Sequence, residues 1–466
     1  MKTSLIIIPT LDIFRPKLCR SSPDQVAVTV KDKLENLVYF KDKGCNEIEL
    51  ESYNHFPIIL NTDHSPWIHG NLYLLNKLES AIEPKSSTLE SIARDLIAFK
   101  SFIDSRSINY LISPKRKLKR PTYAYRAFLQ EEIAHGNLAS STASRRMSSI
   151  IGFYRWLINQ YDTSFEFPLW DSTSTTIKYI DDKGFYQTKY IHSSNLKVSK
   201  SGISQSKHEF IQDGGKLRPL SKDEQRRLLQ ALNIIGNPEM TLAFLIALTT
   251  GARIQTVFTL RVKHIPIPKT GVNQTDKLCL KVGRGTGIDT KRQKQMNLYL
   301  PFWLVERLNV YVNSKRAKRR RMNATSKVTQ SDSQYLFLTQ AGNPYYLSEL
   351  DPSLSSYRFP PRGGAVRKFI GEQLLPELHK SGAPFTFRFH DLRATFGVNL
   401  LGTRVQLMNK GDTSLFDVLM YVKERLGHDS ITTTELYLSY GKLTKLVENI
   451  QNAYEAHLEK IAFKEL

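Results

Sequence analysis

Four polar side chains toward the end of the chain have types and spacing suited to chemistry on a phosphodiester. His390 and Arg393 lie three residues apart in Phe-His-Asp-Leu-Arg, so on a helix they share one face and can meet one phosphate. His428 of Leu-Gly-His is followed nine residues later by Tyr437. A guanidinium matches the geometry of phosphate, and a phenol can attack phosphorus when a base and cations lie nearby. These residues supply most of the parts needed to cut and reseal a DNA strand without a metal.

Further basic residues upstream extend this set. Arg253 follows the residues Thr-Thr-Gly-Ala and is predicted to begin a turn that leads from one helix into the next. Two strand-like stretches, 278–282 and 297–301, flank a polar turn and predict a β-hairpin. The turn carries Lys291 and Lys294. An arginine or a turn lysine alone is weak evidence, because surface residues of these types are common.

The order and context of these motifs resemble the tyrosine recombinase (phage integrase) family. The sharpest match is Leu-Gly-His with its small polar run and Tyr437, followed by Phe-Arg-Phe-His-Asp-Leu-Arg-Ala-Thr-Phe around Arg393. The resemblance makes Tyr437 the nucleophile and Lys291 the general acid for the leaving oxygen, an effect worth roughly 10² to 10⁴ in rate. The catalytic residues that it implies are Arg253, Lys291, His390, Arg393, His428 and Tyr437.

Three points stay open within this assignment. Lys294 is the alternative general acid, since hairpin lengths vary, and Tyr440, one helical turn after Tyr437, is the alternative nucleophile. The family usually has an acidic residue three positions after its first arginine, and this chain has Thr256 there. The carboxylate that supports Arg253 is therefore unassigned, and another residue has to supply it if one is needed.

Composition agrees with a nucleic-acid partner. The 466 residues include 66 Lys and Arg against 44 Asp and Glu, and the formal net charge of +22 favours a polyanionic partner such as nucleic acid or an acidic membrane. The length predicts two or three domains. Cys19, Cys45 and Cys279 are widely spaced, which predicts neither a disulfide framework nor a zinc site and fits a reducing cytoplasm. No apolar run approaches the roughly 18 to 20 residues of a membrane span, so a cytoplasmic protein without a membrane partner is expected.

The N-terminal part of the chain is predicted to contain a DNA-binding domain. Residues 1–86 are near neutral and have no assigned role, whereas residues 87–170 predict helices near 87–102, 122–135 and 141–158. The run from 141 to 156 also resembles the core-binding domain of the family. A helical core DNA-binding domain is therefore expected at 87–170, with a merely solvated basic face as the alternative. Its expected DNA contacts are Lys115, Arg116, Lys117, Arg145, Arg146 and Arg155.

The remaining segments complete the expected organisation. Residues 171–216 are rich in Ser, Thr, Lys and Gly and predict a linker, and 217–440 predict a catalytic domain that is mostly helical with a small sheet. Residues 441–466 predict an amphipathic helix, which either docks on a neighbouring protomer or packs in its own chain. The dense basic run at 315–321 suits phosphate contacts or a solvated helix face, and a nuclear-localisation signal is a weaker reading.

These expectations add up to a mainly α fold with a small antiparallel sheet. The resemblance implies a C-shaped clamp on double-stranded DNA and a tetramer on two DNA sites, with accessory proteins as further partners. It implies site-specific recombination or integration through a 3′-phosphotyrosyl intermediate for a mobile element, with no cofactor or metal. Two alternatives stay open: a type IB topoisomerase-like enzyme that religates the same strand, and a catalytically silent DNA-binding protein, which Thr256 favours.

Overall fold

A computed structural model describes the residues in the ranges 3–15, 25–31, 36–42, 49–82, 85–161, 163–180, 185–198, 210–267, 277–324, 331–382, 384–408 and 414–441. They fall into two compact units, Met1–Ile203 and Ser204–Leu466, and each is considered by itself. The amphipathic helix predicted for residues 441–466 lies outside the described residues, apart from residue 441. None of the helices in the described ranges is long and apolar enough to cross a membrane.

The described part of the first unit combines antiparallel strand pairs with helices. The strands are β1 (Ser4–Arg15), β2 (Gln25–Lys31), β3 (Asn36–Asp42), β4 (Glu49–Leu60), β5 (Ser172–Ile180) and β6 (Tyr186–Ser194), paired as β1 with β4, β2 with β3 and β5 with β6. The helices are α1 (Ile68–Glu79), α2 (Ser86–Ser105), α3 (Pro121–Ala134) and α4 (Ser140–Asn159), with a short 3₁₀ turn at Lys117–Lys119. The last three helices each begin one residue before their predicted start, so the apolar periodicity located them well.

One apolar core joins these elements. Ile59 of β4, Trp67 before α1, Phe99 of α2 and Phe153 of α4 are all buried in the same cluster. The indole N–H of Trp67 donates a hydrogen bond of 3.0 Å to the hydroxyl of Tyr110, so the one polar atom of the ring is satisfied. The core therefore crosses the predicted boundary at residue 86, because β4 and α1 pack against α2.

The segment predicted to be a linker, 171–216, contains regular structure. It holds the hairpin of β5 and β6 and two very short strands of the second unit, β7 (Ile211–Gln212) and β8 (Lys216–Leu217). The Thr-rich composition that suggested a linker also suits an extended strand, since β-branched residues favour the pleated backbone. Composition alone therefore did not distinguish a linker from an extended strand.

The second unit is mostly helical. Its longer strands are β9 (Lys277–Val282) and β10 (Met296–Pro301), which form the antiparallel hairpin that the sequence predicts. Its helices in the described ranges are α5 (Lys222–Ile235), α6 (Pro238–Thr250), α7 (Ile254–Phe258), α8 (Phe302–Asn313), α9 (Lys315–Met322), α10 (Gly364–Phe369), α11 (Leu375–Lys380), α12 (Asp391–Met408), α13 (Leu415–Leu426) and α14 (residues 431–441). Short 3₁₀ turns lie at Val262–His264, Lys291–Gln293, Ser331–Ser333 and Leu354–Ser356, and a π-helical turn at Ile370–Leu374 joins α10 to α11. The predicted fold class, mainly α with small antiparallel sheets, is confirmed.

Helix α6 lies at the centre of the main core of this unit. Its buried residues occur all round the helix, as expected of a helix that is surrounded by other elements. Pro238 occupies the first turn, where its missing N–H costs nothing, and Asn237 caps the helix by accepting from the N–H of Met240. The helix ends at Gly251 in the left-handed conformation, just before the predicted catalytic Arg253. The central helix thus fixes the position of that arginine.

Much of the dense basic run at 315–321 has a structural role. Glu239 in the first turn of α6 is fully buried, and its carboxylate binds Arg316 at 2.8 Å and Arg320 at 3.2 Å. Arg320 also donates to the backbone oxygen of Leu338 at 2.6 Å. A buried carboxylate needs such partners, since an unpaired buried charge is costly. Only the exposed face of α9 stays available for the phosphate contacts that the sequence suggests.

A second, smaller core carries the predicted chemistry. It contains Phe396 of α12, Leu426 of α13 and Tyr437 of α14, together with Ile211 of β7 and Leu217 of β8. The three helices that bear the terminal motifs and the short β7–β8 hairpin are therefore packed as one cluster. The hairpin is held by its two apolar residues, and the turn between them faces the motifs.

Candidate active site

Arg253 is positioned by a tight connection between α6 and α7. Gly251 has φ of +69°, and a Cβ at this residue would lie 2.6 Å from the ring of Phe396, so both its backbone and its surroundings call for glycine. Arg253 is the N-cap residue of α7. The Gly-Ala-Arg sequence therefore turns the chain sharply and places the guanidinium beside α12.

His390 and Arg393 lie on the two sides of the start of α12. Arg393 is in the first turn and His390 immediately precedes the helix. Asp391 fixes this start, because its carboxylate accepts from the backbone N–H of Arg388 at 2.7 Å and of Arg218 at 3.1 Å. The predicted spacing of three residues thus brings both side chains to one end of a helix.

His428 and Tyr437 come together through the turn between α13 and α14. Gly427 ends α13 with φ of +64°, and His428 follows it. The Nδ1 atom of His428 lies 2.9 Å from the hydroxyl oxygen of Thr434, one turn before Tyr437 on α14. The ring of Tyr437 packs on the backbone of α12, where a Cβ on Gly397 would lie 2.4 Å from it. Tyr437 is completely buried.

These side chains converge on one carboxylate that the sequence analysis did not identify, that of Asp213. Its Oδ2 atom accepts hydrogen bonds from Arg393 Nε at 2.8 Å and from the hydroxyl of Tyr437 at 3.0 Å. The Nε2 atom of His428 lies 3.1 Å from the same oxygen. Oδ1 lies 3.6 Å from Nη2 of Arg253. Four of the predicted catalytic residues therefore surround a single anionic group.

Asp213 lies in the turn between β7 and β8. The turn reads Asp-Gly-Gly between two apolar positions, Ile211 and Leu217, which is a hairpin signal. That signal could have revealed the hairpin, but not its packing against α12, α13 and α14. Oδ1 of Asp213 is the carboxylate oxygen that faces Arg253, whereas Thr256 carries no carboxylate.

Arg393 connects the segments of the site. Besides Asp213, it donates through Nη1 to the backbone oxygen of Gly251 at 3.0 Å and through Nη2 to that of Leu426 at 2.6 Å. Its side chain is only 1% exposed. One guanidinium thus binds the end of α6, the end of α13 and the β7–β8 turn. Arg393 therefore holds these three segments together.

The environment shifts the pKa values of four groups of the site, Asp213, His390, His428 and Tyr437. Burial acts to raise the pKa of Asp213, but hydrogen bonds and charges of His428 and Arg393 outweigh it and hold the pKa well below its usual range. Burial and then Arg393 and Arg253 lower the pKa of His390 to about 4. Burial also lowers the pKa of His428, although Asp213 opposes it. Burial and the charge of Asp213 raise the pKa of Tyr437 well above its ordinary value. At neutral pH the site thus contains an ionised carboxylate, neutral imidazoles and a protonated phenol.

The two candidate lysines border the same cavity of about 260 Å³, whose lining includes Arg253, His428 and Asp213. Lys294 is engaged, since Nζ donates to the backbone oxygen of Gly427 at 3.0 Å and to the carboxylate of Asp429 at 2.5 Å. Lys291 has no ion pair among the described side chains, and its Nζ lies 3.2 Å from where a Cβ on residue 214 would be. Of the two lysines, Lys291 is therefore the one without an ion pair among the described side chains.

Tyr440, the alternative nucleophile, has a different environment. It is half-buried at the edge of the small core, whereas Tyr437 lies inside it and hydrogen-bonds to Asp213. The geometry brings Tyr437 to Arg253 and Arg393.

The expected DNA contacts of the first unit are mostly exposed, but some are engaged. Lys115, Arg116 and Arg155 are exposed side chains. Lys117 forms an ion pair with Asp171, and Nη1 of Arg145 binds the buried carboxylate of Asp95 at 2.7 Å. Arg146 is half-buried. Arg145 therefore contributes to the packing of α4 on α2 besides carrying charge on the surface.

No protein-family model matches the sequence, and no curated protein matches it. Among solved structures, the chain is similar to XerH site-specific recombinase bound to a palindromic difH substrate, with 17% identity, 85% of this chain and 92% of that chain covered, and a TM-score of 0.46. It is similar to the Tn1549 transposon integrase in complex with circular intermediate DNA, with 17% identity, coverage of 79% and 94%, and a TM-score of 0.42. A lambda integrase dimer bound to a COC′ core site has 15% identity, coverage of 78% and 93%, and a TM-score of 0.42. Because the identities are at most 17% and the TM-scores at most 0.46, these similarities do not establish a function. The function is inferred from the side chains of the site.

Proposed function

We propose that the protein is a site-specific DNA recombinase or integrase of the tyrosine recombinase type. The observation that carries this proposal is the convergence of Arg253, Arg393, His428 and Tyr437 on one anionic position, occupied by the carboxylate of Asp213. Two guanidiniums, an imidazole and a phenol around one anion are the groups required to bind and attack a phosphodiester.

The proposed reaction begins with attack of the Tyr437 oxygen on phosphorus. A bond forms between phosphorus and the phenolic oxygen while the bond to the 5′-oxygen breaks, which leaves a 3′-phosphotyrosine and a free 5′-hydroxyl. Arg253 and Arg393 neutralise the charge that accumulates on the other phosphate oxygens. The 5′-hydroxyl of a partner strand then attacks the phosphotyrosine and releases Tyr437. Since the phosphotyrosine retains the energy of the original bond, the exchange requires neither ATP nor a metal.

Proton transfer is assigned to neighbouring groups. The phenol of Tyr437 must lose its proton, and its high pKa requires a nearby acceptor. We assign this role to Nε2 of His428, which lies beside the same Oδ2 atom as the Tyr437 hydroxyl, at 3.1 and 3.0 Å, and can accept a proton when Asp213 is not its partner. Lys291 supplies the proton that the leaving 5′-oxygen takes up, since it borders the cavity without an ion pair among the described side chains.

DNA binding is proposed to use basic side chains of both units. Lys115, Arg116, Lys117, Arg145, Arg146 and Arg155 contribute from the first unit, where most are exposed. Contacts of this kind attract the phosphate backbone without reading sequence, so binding weakens steeply with salt. We further propose that the two units clamp double-stranded DNA, that four protomers assemble on two sites, and that the protein works in the cytoplasm for a mobile element.

A trapped covalent adduct tests this function. Duplexes with a nick beside the cleavage position would be drawn from DNA that flanks the gene and from a randomised pool. A nicked substrate loses its short 5′-hydroxyl fragment, so the phosphotyrosine cannot be resealed and migrates as a protein–DNA band on a denaturing gel. We expect this band without added metal or ATP. Absence of any adduct from a folded protein that retains DNA binding would refute the proposal.

A type IB topoisomerase-like activity is the second candidate. It is favoured by one observation, that Tyr437 lies in the site formed by its own chain, which is what religation by a monomer requires. Relaxation of a supercoiled plasmid that carries no recombination site would indicate this activity, whereas exchange between two linear duplexes indicates recombination.

A further inference from the structure

The carboxylate of Asp213 occupies the position at which an anion meets the cations of the site. Oδ2 is shared by Arg393, His428 and Tyr437, and Oδ1 faces Arg253. The donors come from four segments: the start of α7, the first turn of α12, the residue after the turn that ends α13, and α14. Such a convergence is the arrangement expected around a phosphate, and here a side chain of the same unit fills it.

The same contacts engage the proposed nucleophile and two of its neighbours. The hydroxyl of Tyr437 donates its proton to a carboxylate, so its oxygen is engaged with an anion and remains protonated. Neither the nearest imidazole nitrogen of His428 nor Nε of Arg393 can contact a phosphate oxygen while Oδ2 holds both. A phosphodiester bound to these cations would place a second negative charge next to the carboxylate of Asp213. Two negative charges in contact repel each other.

We propose that Asp213 is an internal substitute for the scissile phosphate, which holds Arg253, Arg393, His428 and Tyr437 together without DNA and must leave when a phosphodiester enters. This inference rests on the proposed function, since it takes the entering anion to be the DNA strand that Tyr437 attacks. Asp213 is thus an autoinhibitory contact and a template for the site in one residue.

The placement of Asp213 allows this exchange. It lies in the turn of a hairpin whose strands have two residues each, and the hairpin is anchored through Ile211 and Leu217. The turn itself borders the open cavity that also contains Lys291. Rotation of the side chain, or a small movement of the turn, removes the carboxylate while the apolar anchors stay in place.

An experiment without DNA tests the anion site. Thermal unfolding of Asp213→Ala would be followed in sodium phosphate and in sodium chloride of equal ionic strength, beside wild type. Asp351→Ala is the matched control, because it also removes a buried carboxylate that binds an arginine, Arg261 at 3.2 Å. We expect Asp213→Ala to bind phosphate at least tenfold more tightly than wild type and the control. The gain should vanish when Arg253→Ala is added. Equal phosphate affinity in all the proteins would overturn the proposal.

Adduct formation on the nicked duplex gives the second test. At saturating DNA, Asp213→Ala should form the covalent adduct at least as fast as wild type, because the inhibitory anion is gone. A rate a hundredfold lower would overturn the proposal and make Asp213 a permanent support for Arg253. Asp213→Asn, which keeps the shape of the side chain, repeats both tests if the alanine variant does not fold. If wild type forms no adduct, the proposed function fails, and the phosphate measurement alone decides whether Asp213 fills an anion site.

Discussion

The hydroxyl of Tyr437 donates a hydrogen bond of 3.0 Å to the carboxylate of Asp213, a residue 224 positions earlier in the chain. This bond joins the last described helix to a hairpin turn at the beginning of the second unit. It places the proposed nucleophile among two arginines and an imidazole, and at the same time keeps the phenol protonated. Under the proposed function, the site is assembled before DNA binds and Tyr437 stays bound to Asp213 until then.

The packing of Tyr437 against α12 predicts a strong effect of Gly397→Ala. A Cβ at this position would lie 2.4 Å from the ring of Tyr437, so the ring or the helix must shift. We expect a loss of about 1–3 kcal/mol in the free energy of unfolding, the usual cost of overpacking. Adduct formation should fall with it. Gly402→Ala on the same helix is the control, because a Cβ there meets nothing within 4 Å. Urea unfolding and the adduct assay measure both effects, and equal behaviour of the two variants would contradict the packing described.

Arg393 is predicted to matter more for stability than Arg253. Arg393→Ala removes donors from Asp213 and from the backbone oxygens of Gly251 and Leu426, whereas Arg253 makes one ion pair at 3.6 Å. Leaving a buried charge without its partner costs about 3–5 kcal/mol. We expect Arg393→Ala to approach that loss, with a much smaller loss for Arg253→Ala and no adduct from either. Denaturant unfolding measures both losses. A loss for Arg393→Ala no larger than that for Arg253→Ala would contradict the structural role of Arg393.

The low pKa of Asp213 predicts how stability depends on pH. Because its pKa is lower in the folded than in the unfolded protein, the carboxylate contributes stability that is complete above the unfolded value near 4 and is lost as pH falls toward the folded value. Wild type should thus exceed Asp213→Asn in stability at pH 7, and the difference should shrink by about 1 kcal/mol between pH 5 and pH 3. Unfolding curves of both proteins at each pH give this difference. A constant difference would show that Asp213 is not held ionised by its partners.

Lys291 and Lys294 are predicted to differ in how their replacement affects the rate of adduct formation. Lys291→Ala should slow adduct formation by roughly 10² to 10⁴, the usual contribution of a general acid. A substrate with sulfur in place of the leaving 5′-oxygen should restore the rate, because a thiolate leaves without protonation. Lys294→Ala loosens contacts to Gly427 and Asp429 and should not be rescued by sulfur. Rescue of Lys294→Ala instead would exchange the two assignments.

The local patterns of the sequence predicted much of the fold. Apolar residues at three- and four-residue steps located α2, α3 and α4, and the two strand-like stretches around Lys291 located the hairpin of β9 and β10. The proposed catalytic set was inferred from the family resemblance of short motifs, each of which depends on residues close together in sequence. These features depend on neighbours in sequence, which is why they could be inferred.

The contacts that the sequence did not predict join residues far apart in the chain. Asp213 and Arg393 are 180 positions apart, and nothing near Asp213 indicates that its turn packs against α12. The same limitation affected the basic run at 315–321, since the partner of Arg316 and Arg320 is the distant Glu239. Charged residues whose partners lie on another element look like free surface charge until the tertiary structure is known.

The identity of the residue that carries DNA tests directly whether Tyr437 is the nucleophile. The adduct from the nicked duplex would be digested with protease and nuclease, and the modified peptide sequenced by mass spectrometry. Tyr440→Phe should form the adduct at the wild-type rate, whereas Tyr437→Phe should form none. We expect a nucleotide on Tyr437, the residue that hydrogen-bonds to Asp213. A nucleotide on Tyr440, or an undiminished adduct from Tyr437→Phe, would contradict it.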